Sequence, residues 1–436
     1  MFGYYLDLAW RSLRRSPVLT FLMVLAIGLG IGASMTMLTV LHVMSDDPMP
    51  GRSAQLFTPH VDPLPGHFPK NAYGPDPSIN FTYPDAMAIL SAHRATYQAA
   101  MSGGELLARP ELAGEHPFYV DGRYTTPDFF PMFGVPFLRG SSWTQVEDSA
   151  REHVVVLNET LSRKLFGTID SVGRMAHLGD VDFRVIGVTA DWHPTPMFYV
   201  DAYTSAFSDS DQFFVPLATA MDLKFDPKGD ESGWGKESTI ALTSPTLTWL
   251  QVWVQLDSAS QVAAYRQFLF DYSAQQKKLG RFERPPTNAR LYNLMDWMTL
   301  QGRVPSDIRL QLWLAFAFLV VCVLNIVALL LAKFLRRGGE ISVRRALGAR
   351  RWDIFVQLGV ESLVIGIFGG TLGLLLAQLG LWSVRQRPDD YAHLAHMDAN
   401  MLAQTFLIAI AASVLAGLMP AWRACRIAPA LQLKTQ

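Results

Sequence analysis

The sequence predicts a membrane protein in which four transmembrane α-helices carry a large α+β domain, inserted between the first and second helices. Three observations lead to this fold class. Half of the 436 residues are hydrophobic and only 17% are charged, below the roughly 25% of an average soluble domain. Four apolar segments reach the roughly 20 residues that a bilayer crossing requires. The long region between the first two is instead broken by Pro, Gly, Asp and aromatic residues, as in a folded soluble domain.

The hydropathy pattern sets the order of the segments along the chain. The predicted segments are an N-terminal segment at 1–16, the first span at 17–44, an outer domain at 45–307, the second span at 308–334, a coupling helix at 335–353, the third span at 354–384, an outer loop at 385–400, the fourth span at 401–423 and a tail at 424–436. The first span is longer than the roughly 7 to 15 apolar residues of a signal peptide. We therefore expect a retained signal anchor.

Basic residues predict the orientation of the four spans. Arg11, Arg14 and Arg15 precede the first span, Arg423 ends the fourth span and Arg426 follows it. Because cytoplasmic loops carry an excess of Lys and Arg, we expect both termini in the cytoplasm and the outer domain on the opposite side. The connection between the second and third spans is the most basic: Lys333, Arg336, Arg337, Arg344, Arg345, Arg350 and Arg351 stand against Glu340 and Asp353.

Local patterns predict short elements inside the outer domain. The predicted elements are a strand at Val154 to Leu157, a helix at Glu159 to Phe166 capped by Asn158 and ended by Gly167, a hairpin at Met175 to Leu178 and Phe183 to Val188, a strand at Leu250 to Leu256, and a helix at Gln261 to Leu279. Asp191 to Pro216 and Asp226 to Ser238 are predicted to be loops or a small inserted lobe. The aromatic run Trp192 to Phe214 either contacts an amphipathic substrate or packs locally.

The central basic connection is the candidate functional site. Gly338 and Gly339 break the preceding helix, and the good helix formers that follow place Ile341, Val343 and Leu347 as apolar positions. The segment is too polar to enter the bilayer. We expect a short cytoplasmic helix on which another protein docks.

Several motifs together resemble the MacB/FtsX-type ABC transporter permeases, the transmembrane subunits of type VII ABC systems. The motifs are Leu8 to Pro17 and Gly28 to Ala33 at the first span, Phe129 to Gly140 and Val154 to Asp191 in the outer domain, Glu340 to Ala349 with Glu361-Ser362 and Gly369-Gly370 around the third span, and Pro420 to Pro429 at the end. The resemblance extends over nearly the whole chain. The outer segment between Asp191 and Ser244 departs from the family pattern.

The resemblance implies a permease of the bacterial inner membrane with a MacB-like periplasmic core domain. ATP and Mg²⁺ would be bound by a partner ABC ATPase, whose motion the permease transmits to the periplasm to drive export or efflux. The coupling helix to that ATPase would use Glu340, Ile341, Val343, Arg344, Arg345, Leu347 and Gly348. Further implied partners are membrane lipid, a second permease, identical or paralogous, and a periplasmic adaptor with an outer-membrane channel; the unusual outer segment favours a paralogue.

The sequence gives less support to other functions. Within it, Gly233 to Ser238 comes nearest to a phosphate-binding loop but lacks the Gly-x-x-x-x-Gly-Lys-Ser/Thr spacing. No Gly-x-Ser-x-Gly or His-Glu-x-x-His motif supports a membrane-anchored hydrolase, so neither an enzyme nor a cofactor site is expected. The net charge of −1 gives no reason to expect nucleic acid. Two alternatives remain within the family, namely an FtsX-like regulator of a periplasmic hydrolase or sensor, and a lipoprotein-extraction permease.

Polar and small residues inside the spans allow more than one role. Gly28 and Gly32, like Gly366 and Gly370, have the spacing for close helix approach, either between protomers or within one. Glu361 is predicted to have a structural partner or to reach towards the basic connection, with a proton relay as the alternative.

Two further residue sets have open roles. Asn325, in the second span, is predicted to hold helices together, with a substrate contact as the alternative. His393 and His396 have a spacing that could hold a metal, but they lack other clustered ligands.

Overall fold

The computed structural model describes residues 2–67, 80–111, 114–200, 204–235, 240–301, 306–337, 339, 343–344, 347–386, 396–397 and 399–426. The chain divides into two units. Met1–Ser45 and Val304–Gln436 form the membrane unit, and Asp46–Arg303 forms the outer domain. Each unit is described by itself.

The membrane unit is built of helices. They are Phe2–Arg15, Pro17–Ser45, Ser306–Arg336, Arg351–Arg385 and Ala399–Arg426. Among the described residues, four stretches are long and apolar enough to cross a bilayer: Pro17–Met44, Leu310–Arg336, Arg351–Arg385 and Asn400–Trp422. The predicted fold class, four spans with an α+β domain between the first and second, is confirmed.

The N-terminal segment forms a helix, Phe2–Arg15. Hydropathy alone predicts no secondary structure for this segment. Ala9, Ser12 and Leu13 are buried, while Tyr4 and Trp10 are exposed. Three- and four-residue spacing of buried positions is the pattern of an amphipathic helix. Its buried face packs against the other helices of the membrane unit, where Ala9 and Leu13 join the apolar cluster.

The outer domain is built on one mixed sheet. Its strands are β1 (Leu56–His60), β2 (Phe81–Thr82), β3 (Tyr97–Arg109), β4 (Phe118–Thr125), β5 (Phe137–Gly140), β6 (Val154–Asn158), β7 (Met175–Leu178), β8 (Val181–Thr189), β9 (Phe213–Pro216), β10 (Pro227–Lys228), β11 (Ser232–Gly233), β12 (Leu247–Gln255) and β13 (Arg290–Asn293). The main strand order is β13-β1-β12-β3-β4-β9-β6-β8-β5. The β4–β9 and β6–β8 pairs are parallel, and the other neighbours are antiparallel.

Helices cover this sheet, and both of its faces are buried at the central strand β6. The α-helices are Tyr83–Ser91, Phe129–Phe133, Gln145–Ser149, Glu159–Phe166, Leu217–Asp222, Ala259–Lys278 and Leu294–Leu300, with 3₁₀ turns at Ser53–Gln55 and Pro286–Asn288. On β6, Val155 and Leu157 join one apolar cluster while Val154 and Val156 join another. Successive side chains of a strand point to opposite faces. At β6 the sheet therefore lies between two apolar clusters.

The local elements predicted in the outer domain are confirmed. The Asn158 side chain accepts a hydrogen bond from the Leu161 N–H at 2.8 Å, which caps the helix Glu159–Phe166. Gly167 ends that helix with φ +74°. The hairpin forms between β7 and β8, and the predicted strand and helix near the end of the domain are β12 and Ala259–Lys278.

The prediction of loops or a small inserted lobe at Asp191 to Pro216 was partly wrong. Phe213–Pro216 is strand β9, which pairs with β4 on one side and β6 on the other. Tyr199 is fully buried, and its hydroxyl donates to Asp211 at 3.1 Å. Arg123 of β4 lies 2.7 Å from Asp211 and 4.6 Å from the Tyr199 ring. This aromatic run therefore packs locally. In the second predicted loop, β10 and β11 are short strands.

Candidate coupling site

The basic connection between the second and third spans presents apolar side chains to solvent. Val343 and Arg344 are helical, and Leu347 and Gly348 form a turn; Glu340, Ile341 and Arg345 lie outside the described residues. The exposed fractions of Val343 and Leu347 are 52% and 84%. The Leu347 N–H donates to the Val343 carbonyl at 3.0 Å, one helical turn back. Two exposed apolar side chains beside several arginines are a surface suited to contact with another molecule.

Two features define the end of this connection. Gly348 has φ +103°, a left-handed conformation that favours glycine and ends the preceding turn. The Arg350 N–H then donates to the Asp353 carboxylate at 3.1 Å, which places an acid in the first turn of the third span. Arg344 reaches across to that span and donates to Gln357 Oε1 at 2.9 Å. The connection is thus tied to the start of the third span.

A buried carboxylate, Glu361, joins three helices near this connection. Lys333 Nζ of the second span lies 2.5 Å from Glu361 Oε1, an ion pair without hydrogen-bond alignment. Ser12 Oγ of the N-terminal helix donates to the same oxygen at 2.6 Å. Arg337 Nη1 lies 3.7 Å from Glu361 Oε2 and also contacts Ser12 Oγ. We call Glu361, Lys333, Arg337 and Ser12 the Glu361 cluster.

The Glu361 cluster is almost fully enclosed. The Glu361 side chain is 0% exposed and the Lys333 side chain 4%. Charges in this position are costly unless paired, and breaking a buried pair by removing one partner costs about 3–5 kcal/mol. The structure therefore gives Glu361 a structural partner. The sequence showed the lone carboxylate but missed Ser12, whose helix could have been found from its amphipathic period.

The four predicted glycines all pack inside one protomer. A Cβ at Gly28 would lie 2.8 Å from Leu372, and one at Gly32 would lie 2.8 Å from Leu376, both on the third span. The third span likewise packs on the fourth: a Cβ at Gly366 would lie 2.7 Å from Ser413, and one at Gly370 would lie 2.8 Å from Ala409. These glycines let the first, third and fourth spans approach closely.

Asn325 lies elsewhere, on an exposed face of the second span. Within the described part of the chain its side chain has no hydrogen-bond partner. Metal ligands are also missing there, since no group of three or more His, Cys, Asp or Glu side chains in the described residues could hold an ion. His393 lies outside the described residues.

Four spans, a sheet domain between the first two, and a basic connection between the second and third define a multi-pass membrane permease with one large extramembrane domain. Family models agree: residues 20–269 match the MacB-like periplasmic core domain and residues 312–429 match the FtsX-like permease C-terminal domain. The first match alone covers more than half of the chain. The chain belongs to the MacB/FtsX family of ABC transporter permeases, and its spans and periplasmic-type domain indicate an inner-membrane protein.

Curated relatives extend the similarity along the chain. The pyoverdine export ATP-binding/permease protein PvdT of Pseudomonas aeruginosa is 25% identical over 432 residues, which is 98% of this chain and 58% of the relative. The macrolide export ATP-binding/permease protein MacB of Shigella boydii is 24% identical, over 98% of this chain and 60% of the relative. MacB of Bdellovibrio bacteriovorus is 26% identical over 61% of this chain and 35% of the relative. The chain thus matches about three-fifths or less of the length of these relatives.

Solved structures that resemble the chain cover its outer domain. The periplasmic region of MacB from Actinobacillus actinomycetemcomitans aligns with 58% of this chain and 94% of its own, at 14% identity and a TM-score of 0.37. The extracellular domain of the ABC-type transporter YknZ aligns with 50% of this chain and 93% of its own, at 15% identity and a TM-score of 0.32.

Proposed function

We propose that this permease couples ATP hydrolysis by a separate ABC ATPase subunit to a conformational change of its periplasmic domain, which drives export or efflux by mechanotransmission. The ATPase docks on the basic connection in the cytoplasm, where both chain termini also lie. ATP and Mg²⁺ bind to that subunit. A second permease, a periplasmic adaptor and an outer-membrane channel complete the proposed system.

The exposure of Leu347 is the observation that carries this proposal. At 84% exposed, it is the most exposed large apolar side chain among the described residues. It lies outside the candidate spans, in a segment too basic to enter the bilayer, so lipid does not account for its exposure. An apolar side chain surrounded by charged residues matches the arrangement of a protein interface, in which an apolar core is enclosed by a polar rim.

The Glu361 cluster supports the transmission step. It links the second span, the third span and the N-terminal helix close to the connection between the two spans. Packed helices joined by buried charge shift as a body more readily than they bend, because interiors are close-packed. A push on the connection would therefore reach several helices together. The outer domain of about 260 residues favours export over a purely regulatory output, since it matches the MacB-like core.

The test is capture of the ATPase subunit by membrane-inserted permease carrying Leu347→Asp. A charge at a buried apolar anchor should weaken docking at least tenfold, since interface anchors contribute about 2 kcal/mol or more. Insertion should be unchanged because topology depends on many redundant basic residues. Binding is measured by pull-down from membranes in which permease and ATPase are co-expressed.

A matched substitution controls for the chemistry of the change. Leu279 is 66% exposed and lies in the outer domain, so Leu279→Asp should capture the ATPase as well as the parent chain. Undiminished capture by Leu347→Asp would refute docking at this site. Co-purification of a cell-wall hydrolase would favour the regulatory alternative, and a bound lipoprotein would favour extraction.

A further inference from the structure

A groove lies between the third and fourth spans, at the end where the third span begins. Its volume is about 250 Å³, and it is lined by residues within 352–363 of the third span and 414–421 of the fourth. The lining positions on each span recur every three or four residues, so they come from one face of each helix. None of these lining residues is charged. We call this feature the span 3–4 groove.

The groove is closed at its inner end and open beside Gly359. A Cβ at Gly417 would overlap the Ser362 side chain, and Ser413 Oγ donates to the Ser362 carbonyl. The two spans are therefore in direct contact at Ser362. About one helical turn earlier, a Cβ at Gly359 would meet no described atom within 4 Å. Space for another molecule therefore lies next to Gly359.

The groove lies within the membrane but extends through only one leaflet. Arg351–Arg385 and Asn400–Trp422 are both long and apolar enough to cross a bilayer, and the lining residue Leu418 is 41% exposed, so the groove opens to hydrocarbon. The third span rises about 16 Å over residues 352–363, which is roughly half of a hydrocarbon core about 30 Å thick. A transmembrane helix would need contact along the whole core. An acyl chain of one leaflet fits the observed length.

Arginines and an exposed tryptophan lie at the outer end of the groove. Trp352 is 69% exposed and stacks on Phe355, with the ring centroids 5.6 Å apart, and tryptophan is enriched at the level of lipid headgroups. Arg350 and Arg351 precede it, and both are exposed. The nearest acid along the chain, Asp353, accepts a hydrogen bond from the Arg350 backbone N–H at 3.1 Å. Because guanidinium groups bind phosphate, this end suits an anionic headgroup.

We propose that the span 3–4 groove binds an anionic phospholipid, with one acyl chain against Gly359 and the headgroup phosphate on Arg350 and Arg351. The apolar walls bury the chain, and the two guanidinium groups select the charge of the headgroup. The length of the groove sets the leaflet, which is the one where the third span begins. Leu347 does not line the groove, and the inference does not depend on ATPase docking.

Photolabelling in nanodiscs tests where the acyl chain lies. The full chain is reconstituted in phosphatidylcholine with a small fraction of phosphatidylglycerol that carries a diazirine in one acyl chain, and labelled residues are identified by mass spectrometry. Val414 and Leu418, in the groove, should be labelled more than Leu415 and Met419. These neighbours are 64% and 61% exposed and lie at nearly the same depth, but about 100° around the helix.

Competition separates a lipid site from bulk lipid. Excess unlabelled phosphatidylglycerol should remove the groove labelling, and excess phosphatidylcholine should not. Equal labelling at Leu415 and Met419, or equal competition by phosphatidylcholine, would overturn the proposal. A photoreactive p-benzoylphenylalanine in place of Leu418 tests the occupant in native membranes. An adduct with phospholipid is expected, and an adduct with a polypeptide would also overturn the proposal.

Substitutions separate the acyl-chain contact from the headgroup contact. Gly359→Phe fills the open space and should reduce groove labelling about tenfold, because the acyl chain loses buried CH₂ groups. Gly359→Ala adds only a methyl group there and is the matched control, with labelling within about twofold of the parent. Arg350→Gln combined with Arg351→Gln should reduce the preference for phosphatidylglycerol over phosphatidylcholine about 10- to 30-fold. Unchanged labelling in Gly359→Phe would refute the acyl site, and an unchanged preference in the arginine variant would refute the headgroup contact.

Discussion

The outer domain and the membrane unit each bury a carboxylate, but they surround it differently. Glu361, in the membrane unit, has two cations and a hydroxyl group within 4 Å. Asp148, in the outer domain, accepts a backbone hydrogen bond from Ala218, and one of its oxygens has no partner. Among the described residues no cationic side chain forms an ion pair with Asp148. Burial therefore raises the pKa of Asp148 to about 6.

The two buried carboxylates, Glu361 and Asp148, therefore have different effects on stability. In the membrane unit the carboxylate is a link between helices, and its loss would leave Lys333 and Arg337 without their counter-charge. In the outer domain no ion pair offsets the free-energy cost of burying the ionised Asp148 carboxylate. Protonation of the carboxylate removes that cost. Burial alone thus does not identify a functional carboxylate; the neighbouring charges do.

Glu361→Gln should have the largest effect. The substitution keeps the side-chain shape but removes the charge opposite the buried Lys333 and the partly buried Arg337. The free energy of unfolding should therefore fall by about 3–5 kcal/mol. The measurement is thermal and denaturant unfolding of the purified chain in detergent, followed by tryptophan fluorescence.

An exposed acid provides the control for this substitution. Glu159 pairs with Arg163 one helical turn away on the surface of the outer domain. Glu159→Gln should cost only about 0.2–0.5 kcal/mol, as expected for such a pair. If Glu361→Gln were as mild as Glu159→Gln, the cluster would not hold the helices together.

Asp148→Asn should have the next largest effect, of opposite sign. The folded-state pKa, about 6, is above the ordinary value of 3.8, so the native state binds this proton more tightly than the unfolded chain. Its contribution to stability is present below about pH 4 and is lost as the pH rises through 6. Asp148→Asn should therefore stabilise the protein at pH 8 by on the order of 2 kcal/mol.

The effect of Asp148→Asn on stability should depend on pH. At pH 3, below both the ordinary pKa of 3.8 and the folded-state pKa of about 6, the parent acid is largely protonated in both states, so Asp148→Asn should change stability little. Unfolding of parent and variant is compared at both pH values. A variant that is less stable than the parent at pH 8 would show that the Asp148 carboxylate makes a favourable contact.

The sequence predicted features that depend on neighbouring residues. The four spans follow from uninterrupted hydropathy, and the unit from Val154 to Thr189 follows from strand alternation, a capping Asn158 and a terminating Gly167. Each signal is contained within a few residues. Tertiary contacts were not needed to find them.

What the sequence missed depends on residues far apart in the chain. Strand β9 is short, and its assignment follows from pairing with β4 and β6, on either side of it. Ser12 and Glu361 meet across 349 positions of sequence, and no local pattern links them. Within the coupling site, Val343 and Leu347 lie in the described part, while the helix expected over Glu340 to Ala349 stays a prediction.

The most direct test of mechanotransmission is an ATP-dependent distance measured between outer domains. A spin label at Tyr119→Cys, on an exposed position of β4, reports that distance in the assembled complex, in a Cys322→Ser, Cys425→Ser background. ATP turnover should change the label-to-label distance in the parent permease, and Leu347→Asp should abolish the change while Leu279→Asp retains it. A distance that does not respond to ATP in the parent, or responds equally in Leu347→Asp, would contradict coupling through this site.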